Sequence, residues 1–134
     1  MTEIKLSKDQ QEVFENIKNN PKQNFFIQGQ AGTGKSTLIN YIKNNLGREY
    51  AIVAPTGIAA ELIGGSTIHS LFKLGGRPYF PLNIVEKYKK YSDVVERIET
   101  LIIDEASMLR ADVFDTVNML CQKAKKNNEA FGGI

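Results

Sequence analysis

Apolar side chains recur along this chain with two different spacings, and these spacings predict its elements. Positions three and four residues apart predict helices, which are expected over 7–19, over 35–46 and around 113–124. Short uninterrupted apolar runs predict buried strands, which are expected at 25–28, 50–54 and 100–104. Strands that alternate with helices indicate an α/β fold with a parallel sheet.

Capping and turn residues mark where these elements begin and end. Ser7-Lys8-Asp9-Gln10 has the capping-box pattern that begins a helix, and Asn19-Asn20-Pro21 ends it. Gly47 suits the left-handed residue after a helix, and Gly64-Gly65 stops a short helix predicted over 58–63. The remaining predictions are a short helix over 67–72, a loop over 73–81 and one or two helices over 83–97.

The composition is that of a single globular domain. The 134 residues are 42% hydrophobic and 24% charged, with a net charge of +2. Apolar runs are far shorter than the roughly 18 residues that cross a bilayer, so we expect no membrane partner. Cys121 is the only cysteine, which excludes an internal disulfide and leaves a small core residue or a reactive thiol. Met1-Thr2-Glu3 does not open a signal peptide, which predicts a cytoplasmic location. The Lys, Asn and Ile content favours an A·T-rich genome, that of a bacterium or a phage.

The residues Gly29-Gln30-Ala31-Gly32-Thr33-Gly34-Lys35-Ser36 form the GxxxxGKS pattern of a phosphate-binding loop. Its glycines allow successive N–H groups to surround a triphosphate at the start of a helix. Lys35 would reach the β- and γ-phosphates, and the Ser36 hydroxyl would hold Mg²⁺. The alternative is a flexible loop that ends at an ordinary helix cap. The expected nucleotide contacts are Gly29, Ala31, Gly32, Thr33, Gly34, Lys35, Ser36 and Thr37.

Two adjacent carboxylates end the apolar run over 100–104. The carboxyl ends of strands are where α/β sheets bind ligands. Asp104 suits the Mg²⁺ shell together with Ser36, through water, and Glu105 suits a general base for the attacking water. The alternative is an acidic pair that only caps the next element.

The order of these segments resembles the first motor domain of superfamily 1B DNA helicases, most closely the PIF-one-like family, which is related to RecD-like helicases. The matching blocks are LSKDQQEVF (6–14), GQAGTGKST (29–37), VAPTGIAA (53–60), STIHSLF (66–72), IIDEASML (102–109) and the segment from Phe114-Asp115 to Phe131-Gly132-Gly133-Ile134. They cover nearly the whole chain, and PTGIAA and TIHSLF are more specific than GKS alone.

The resemblance implies a RecA-like parallel sheet flanked by helices, as the N-terminal portion of a motor domain, residues 1–134. It implies an ATP-dependent 5′ to 3′ DNA helicase with ATP and Mg²⁺ as cofactors, working as a monomer with the remaining helicase domains in DNA repair, recombination and telomere maintenance. Gln10 would read adenine. Single-stranded DNA would lie along Pro55, Thr56, Thr67 and His69. Simpler roles for these last residues are turn, N-cap and hydrogen-bonded helix positions.

The chain departs from the family pattern in its last third. Arginines and a proline usually stand where this chain has Gln122, Lys123, Lys125, Lys126 and Ala130, which leaves the subfamily open. In the predicted loop, Arg77, Tyr79 and Phe80 could stack on bases or pack the loop down.

Residues 131–134 begin, in the family, the strand that leads to motif III. We therefore expect a fragment truncated before that strand, with unpaired sheet edges and no arginine finger. Such a fragment would bind Mg-ATP weakly, hydrolyse it very slowly and not unwind DNA. Two other classes stay open: a P-loop ATPase that is not a DNA motor, and a single-stranded DNA-binding module whose P-loop is vestigial. The PTGIAA and TIHSLF blocks argue against the first, and intact Lys35, Ser36, Asp104 and Glu105 argue against the second.

Overall fold

A computed structural model describes residues 5–29, 34–74 and 92–134 of the chain. The chain divides into two compact units, here named the N-terminal unit (residues 1–48) and the sheet unit (residues 49–134). Among the described residues, no helix has both the length and the apolar character needed to cross a bilayer.

The N-terminal unit contains the two predicted helices, α1 (Lys8–Asn19) and α2 (Lys35–Asn45). The capping box is confirmed, because the Ser7 hydroxyl accepts from the Gln10 N–H while the Gln10 side chain accepts from the Ser7 N–H. Gly47 has a φ of +72°, as expected for the residue after a helix. The rings of Phe14 and Tyr41 meet edge to face at 4.8 Å. The buried apolar residues of this unit are Phe14, Leu38, Ile39, Ile42 and Leu46.

The strand predicted over 25–28 is not present. These residues have no regular secondary structure, and the side chain of Phe26 is 73% exposed. A strand requires a neighbour that completes its hydrogen-bond ladder, and the described strands pair only with one another. The apolar run predicted a buried strand, but apolar character alone does not supply a pairing partner.

The sheet unit is built on three parallel strands, β1 (Tyr50–Ala54), β2 (Ser66–Thr67) and β3 (Thr100–Ile103), in the order β2-β1-β3. β1 lies in the centre, and its last three residues are all buried, as predicted from its lack of alternation. The register aligns Ala54 with Thr67 and Val53 with Ile103. The three carboxyl ends therefore lie at the same edge of the sheet.

A helix follows each strand of the sheet unit with bounds close to those predicted, and one further helix precedes β3, at the end of the region predicted to hold one or two helices. These helices are α3 (Gly57–Leu62), α4 (Ile68–Leu71), α5 (Ser92–Arg97) and α6 (Ala111–Lys125), with a short 3-10 helix at Ala106–Met108. Most of the loop predicted over 73–81, including Arg77, Tyr79 and Phe80, lies outside the described residues, as does the predicted helical region from 83 to 91. The buried core consists of Val53, Ile68, Phe72, Val95, Val113, Val117, Leu120, Cys121 and Ala124.

The end of the chain differs from its prediction. Ala130–Gly133 forms a 3-10 turn instead of the start of a strand, and Phe131 and Gly132 have positive φ angles of 50° and 66°. Asn118 on α6 holds this turn, because its Oδ1 accepts from the Phe131 N–H at 2.6 Å. A Cβ on Gly132 would overlap the carbonyl of Cys121, so the turn lies directly against α6.

Candidate functional site

The described part of the phosphate-binding motif is centred on the junction between the loop and α2. Gly34 is the N-cap of α2 and has a left-handed backbone with φ +90°, which favours glycine. The Lys35 Nζ donates to the carbonyl oxygen of Gly29 at 2.8 Å, which closes the loop across the motif. Lys35, Ser36 and Thr37 form the exposed first turn of α2. Ala31, Gly32 and Thr33 lie outside the described residues.

The geometry of this first turn fits a triphosphate and Mg²⁺. N–H groups in the first turn of a helix have no partner within the helix, and the helix dipole adds positive character. Lys35 contributes an ammonium group that now contacts a neutral carbonyl, and Ser36 contributes an exposed hydroxyl. Among the described residues, no group of three or more His, Cys, Asp or Glu side chains is arranged so that it could hold a metal ion by itself. Mg²⁺ bound to a nucleotide needs only one or two protein ligands, because phosphates and water complete its shell.

Gln10 contacts the same junction from α1, which sequence reasoning did not foresee. Its Nε2 donates to the carbonyl of Gly34 at 2.9 Å, and its Oε1 accepts from the Ser7 N–H at 2.8 Å. The capping-box pattern predicted the second bond. The bond from Gln10 to Gly34 joins residues 24 positions apart, which no local pattern predicts. Only the resemblance of Gln10 to a nucleotide-reading residue indicated that it lies near the phosphate-binding loop.

The carboxylate pair lies at the carboxyl edge of the sheet, as predicted. Asp104 follows β3 directly, is partly buried, and donates its N–H to the carbonyl of Val53 at 2.9 Å. Glu105 is exposed and has a left-handed backbone (φ 53°, ψ 42°). This conformation costs a residue with a side chain about 1–2 kcal/mol, so the surrounding structure imposes it. No residue pattern around Glu105 predicted this strain.

The four residues expected near DNA lie at the same edge of the sheet unit. Pro55 and Thr56 follow β1, whereas Thr67 ends β2 and the partly buried His69 is in α4. The cap alternative is confirmed for both threonines, because Thr56 and Thr67 accept from the N–H groups three residues later at 3.2 and 3.1 Å. A hydroxyl that accepts a hydrogen bond still has its own proton to donate. Capping therefore leaves these threonines able to donate to a phosphate.

Cys121 belongs to the core and not to a reactive site. Its side chain is fully buried on α6. Burial raises the pKa of the thiol from 9.0 to about 12, and the nearby positive charge of Lys125 lowers it only in part. Since the thiolate is the reactive form, this environment favours the core alternative over the reactive thiol.

Comparison with known proteins decides the family. The profile of the PIF1-like helicases matches residues 5–134. The chain belongs to the PIF1-like helicase family. Among curated PIF1-like relatives, the ATP-dependent DNA helicase PIF1 of Saccharomyces cerevisiae (strain YJM789) is 40% identical over 139 residues. The ATP-dependent DNA helicase Pif1 of Bdellovibrio bacteriovorus is 35% identical over 136 residues.

Solved PIF1-like structures confirm the fold. The crystal structure of Bacteroides Pif1 helicase in complex with ADP-AlF3 and single-stranded DNA matches with a TM-score of 0.85 at 35% identity. The parallel sheet flanked by helices is therefore the RecA-like fold that was predicted. The match covers 98% of this chain but 31% of the Bacteroides chain. Likewise, this chain spans 16% of the yeast relative and 30% of the Bdellovibrio relative.

Proposed function

We propose that this chain is the N-terminal portion of the first motor domain of an ATP-dependent 5′ to 3′ DNA helicase. It binds ATP with Mg²⁺ through residues 29–37 and contacts single-stranded DNA at the carboxyl edge of its sheet. The remaining helicase domains complete the motor, which works as a monomer on bacterial or phage DNA in repair and recombination.

The observation that carries this proposal is the shared edge of the three parallel strands. The register of β1 with β3 sets Asp104 and Glu105 beside the end of β1, and the register of β1 with β2 sets Thr67 on its other side. Residues suited to phosphoanhydride hydrolysis and residues suited to a nucleic-acid backbone therefore follow adjacent strands. Such an arrangement supports a coupling between nucleotide chemistry and DNA contact.

In the proposed reaction, the oxygen of a water molecule bonds to the γ-phosphorus while the bond from that phosphorus to the β–γ bridging oxygen breaks. ADP leaves, and the Glu105 carboxylate accepts the proton of the attacking water. Lys35 and the N–H groups of the first turn of α2 hold the phosphate oxygens. Asp104 and Ser36 would hold Mg²⁺, which would supply positive charge to the phosphates.

The first test is Mg²⁺-dependent ATP binding and turnover by the 134-residue chain, with and without single-stranded DNA. Lys35→Ala is expected to abolish ATP binding, because it removes the ammonium group at the loop. Lys22→Ala removes an exposed lysine from the same unit and is the matched control. We expect weak binding, very slow turnover and no duplex unwinding. ATP binding that survives Lys35→Ala would contradict the nucleotide site, and unwinding by this chain alone would contradict the need for further domains.

The DNA contact is tested separately by removing one hydroxyl at each end of the sheet. Thr67→Val removes the hydroxyl at the carboxyl end of β2. Thr100→Val makes the same chemical change at the amino end of β3, on the opposite edge of the sheet. We expect Thr67→Val to lower the affinity for single-stranded DNA by about two- to tenfold, the value of one hydrogen bond, and Thr100→Val to leave it unchanged. Equal effects of the two variants would argue against this edge as the DNA surface.

A further inference from the structure

Gln10 lies at the point where the phosphate-binding loop becomes α2, and its contacts there do not require a nucleotide. The Gly34 carbonyl accepts from the Leu38 N–H at 3.0 Å, which is the first hydrogen bond of α2. It also accepts from the Gln10 Nε2 at 2.9 Å. A carbonyl oxygen has two lone pairs, so these two donors saturate it. The orientation of the Gly34 peptide is thereby fixed by both α2 and α1.

The amide of Gln10 is itself oriented by the protein. Its Oε1 accepts from the Ser7 N–H at 2.8 Å, and its Nε2 faces a carbonyl, so the oxygen and the nitrogen cannot exchange places. An amide offers two acceptor and two donor positions. The two internal bonds therefore leave one acceptor and one donor position, the pair that an adenine edge needs. The Gln10 side chain can therefore hold Gly34 and contact a base at the same time, through different positions of its amide.

The glycine at position 34 permits this contact. A Cβ at Gly34 would overlap the Gln10 Nε2, and a side chain would also be strained at φ +90°. The absence of a side chain therefore serves both the left-handed turn and the approach of the amide from α1.

We propose that Gln10 is a positioning residue for the phosphate-binding site, because it holds the junction of the loop with α2 through the Gly34 carbonyl whether or not a base is bound. This inference rests on the proposed nucleotide site. It differs from the base-reading role that the family resemblance gives to Gln10, because it predicts an effect of Gln10 on ligands that have no base.

Inorganic tripolyphosphate with Mg²⁺ is the probe, since it offers the phosphates of ATP without adenine. Binding of tripolyphosphate and of ATP is measured by titration calorimetry on the 134-residue chain. Gln10→Met keeps the length of the side chain and removes both amide contacts. We expect it to weaken tripolyphosphate binding by about two- to tenfold, the value of one hydrogen bond, and to weaken ATP binding by at least as much.

Two controls separate positioning from general stability. Gln11→Met makes the same chemical change one residue later on α1, at an exposed position. Asn20→Ala weakens the end of α1, where the Asn20 amide donates to the Asn16 carbonyl, and leaves the Gln10 contact to Gly34 in place. Both controls are expected to bind tripolyphosphate within twofold of the unaltered chain, at a temperature where circular dichroism shows all variants folded. If Gln10→Met does not fold, Gln10→Asn provides the test, because its amide is one methylene too short to reach Gly34 and should give the same loss.

The outcomes are distinct. A loss of tripolyphosphate affinity in Gln10→Met but not in the controls supports positioning. Unchanged tripolyphosphate affinity with weakened ATP affinity overturns it and leaves Gln10 as a reader of the base alone. If the unaltered chain binds neither ligand, the proposed nucleotide site fails and the positioning role fails with it.

Discussion

The two units of this chain hold their candidate functional residues by different means. In the sheet unit, Asp104 and Thr56 follow parallel strands and Thr67 ends one. These strands lie on a buried core, and backbone hydrogen bonds between them hold these positions. In the N-terminal unit, two side chains hold the described ends of the phosphate-binding loop: Lys35 donates to the Gly29 carbonyl across the motif, and Gln10 on α1 donates to the Gly34 carbonyl. A ladder of strands tolerates the loss of one contact better than a loop that depends on single side chains.

The difference is also visible in what each unit buries. The sheet unit contains several side chains with almost no exposed surface, such as Val53, Ile68 and Val117. The segment that precedes the phosphate-binding loop instead exposes Phe25, Phe26 and Ile27. Regions with few buried apolar contacts open locally at lower free energy than the core. We therefore expect the exposed segment over 25–27 to open locally at lower free energy than the buried strands of the sheet unit.

The largest expected difference between the two units is in the free energy of unfolding when one apolar side chain in each unit is truncated to alanine. Leu120→Ala is expected to lower the free energy of unfolding by about 2–5 kcal/mol, because Leu120 is 3% exposed and its loss leaves a cavity. Phe26→Ala should change it by less than about 0.5 kcal/mol, because Phe26 is 73% exposed. Urea denaturation measures both values. A large effect of Phe26→Ala would mean that the segment before the loop is packed, and would remove the contrast.

Two glycines give a smaller contrast. In the sheet unit, a Cβ on Gly65 would overlap the backbone carbonyl of Ile52 in β1, so Gly65→Ala should destabilise the chain by about 1–3 kcal/mol. In the N-terminal unit, nothing lies within 4 Å of a Cβ on Gly47, so Gly47→Ala meets only the strain of its φ of +72°, about 1 kcal/mol. Thermal unfolding of the two variants checks the order. The reverse order would show that β1 shifts to accommodate Gly65→Ala at a lower cost in free energy than the strain of Gly47→Ala.

The buried thiol provides a pH-dependent test of the sheet unit. Because the pKa of Cys121 is about 12 in the folded chain and 9.0 ordinarily, the unfolded chain loses this proton first as the pH rises. The free energy of unfolding should therefore decrease above pH 9, by up to about 1.4 kcal/mol for each pH unit until the pH approaches 12. Denaturation at pH 8 and pH 10 measures the decrease, with Cys121→Ala as the control that lacks it. Rapid reaction of the native thiol with a maleimide at pH 8 would refute the buried environment.

The smallest effect is expected at the start of α1. Ser7→Ala removes the hydroxyl that accepts from the Gln10 N–H and should destabilise the helix by about 1 kcal/mol, with faster amide exchange in its first turn. Lys8→Ala, at the next exposed position, is the control. Hydrogen exchange followed by NMR checks both. Equal protection in the two variants would mean that α1 is held by the packing of Phe14 and not by its cap.

Local patterns predicted most of the fold because the physics behind them is local. The capping box of α1, the glycine after α2 and the bounds of β1 each depend on residues within one or two turns. β2 was not predicted, because Ser66-Thr67 contains no apolar run and becomes a strand only through its pairing with β1. The strand at 25–28 was wrong for the converse reason, since an apolar run does not specify a partner.

Placement of the candidate site could be predicted only in part. The position of Asp104 and Glu105 at a strand end was predicted from the apolar run before them. The contact between Gln10 and Gly34, and the left-handed backbone of Glu105, could not be predicted, because both depend on chain segments distant in sequence or on tertiary strain.

The left-handed backbone at Glu105 has an evolutionary consequence. Glycine and asparagine adopt this conformation more easily than glutamate. A random library at position 105 that is selected only for folding should therefore enrich these two residues, and glutamate should be depleted from it. If Glu105 is the general base that we propose, a library selected for ATP hydrolysis by the complete helicase should instead retain glutamate. Deep sequencing of the two selections would show directly where the requirement for stability and the requirement for catalysis oppose each other.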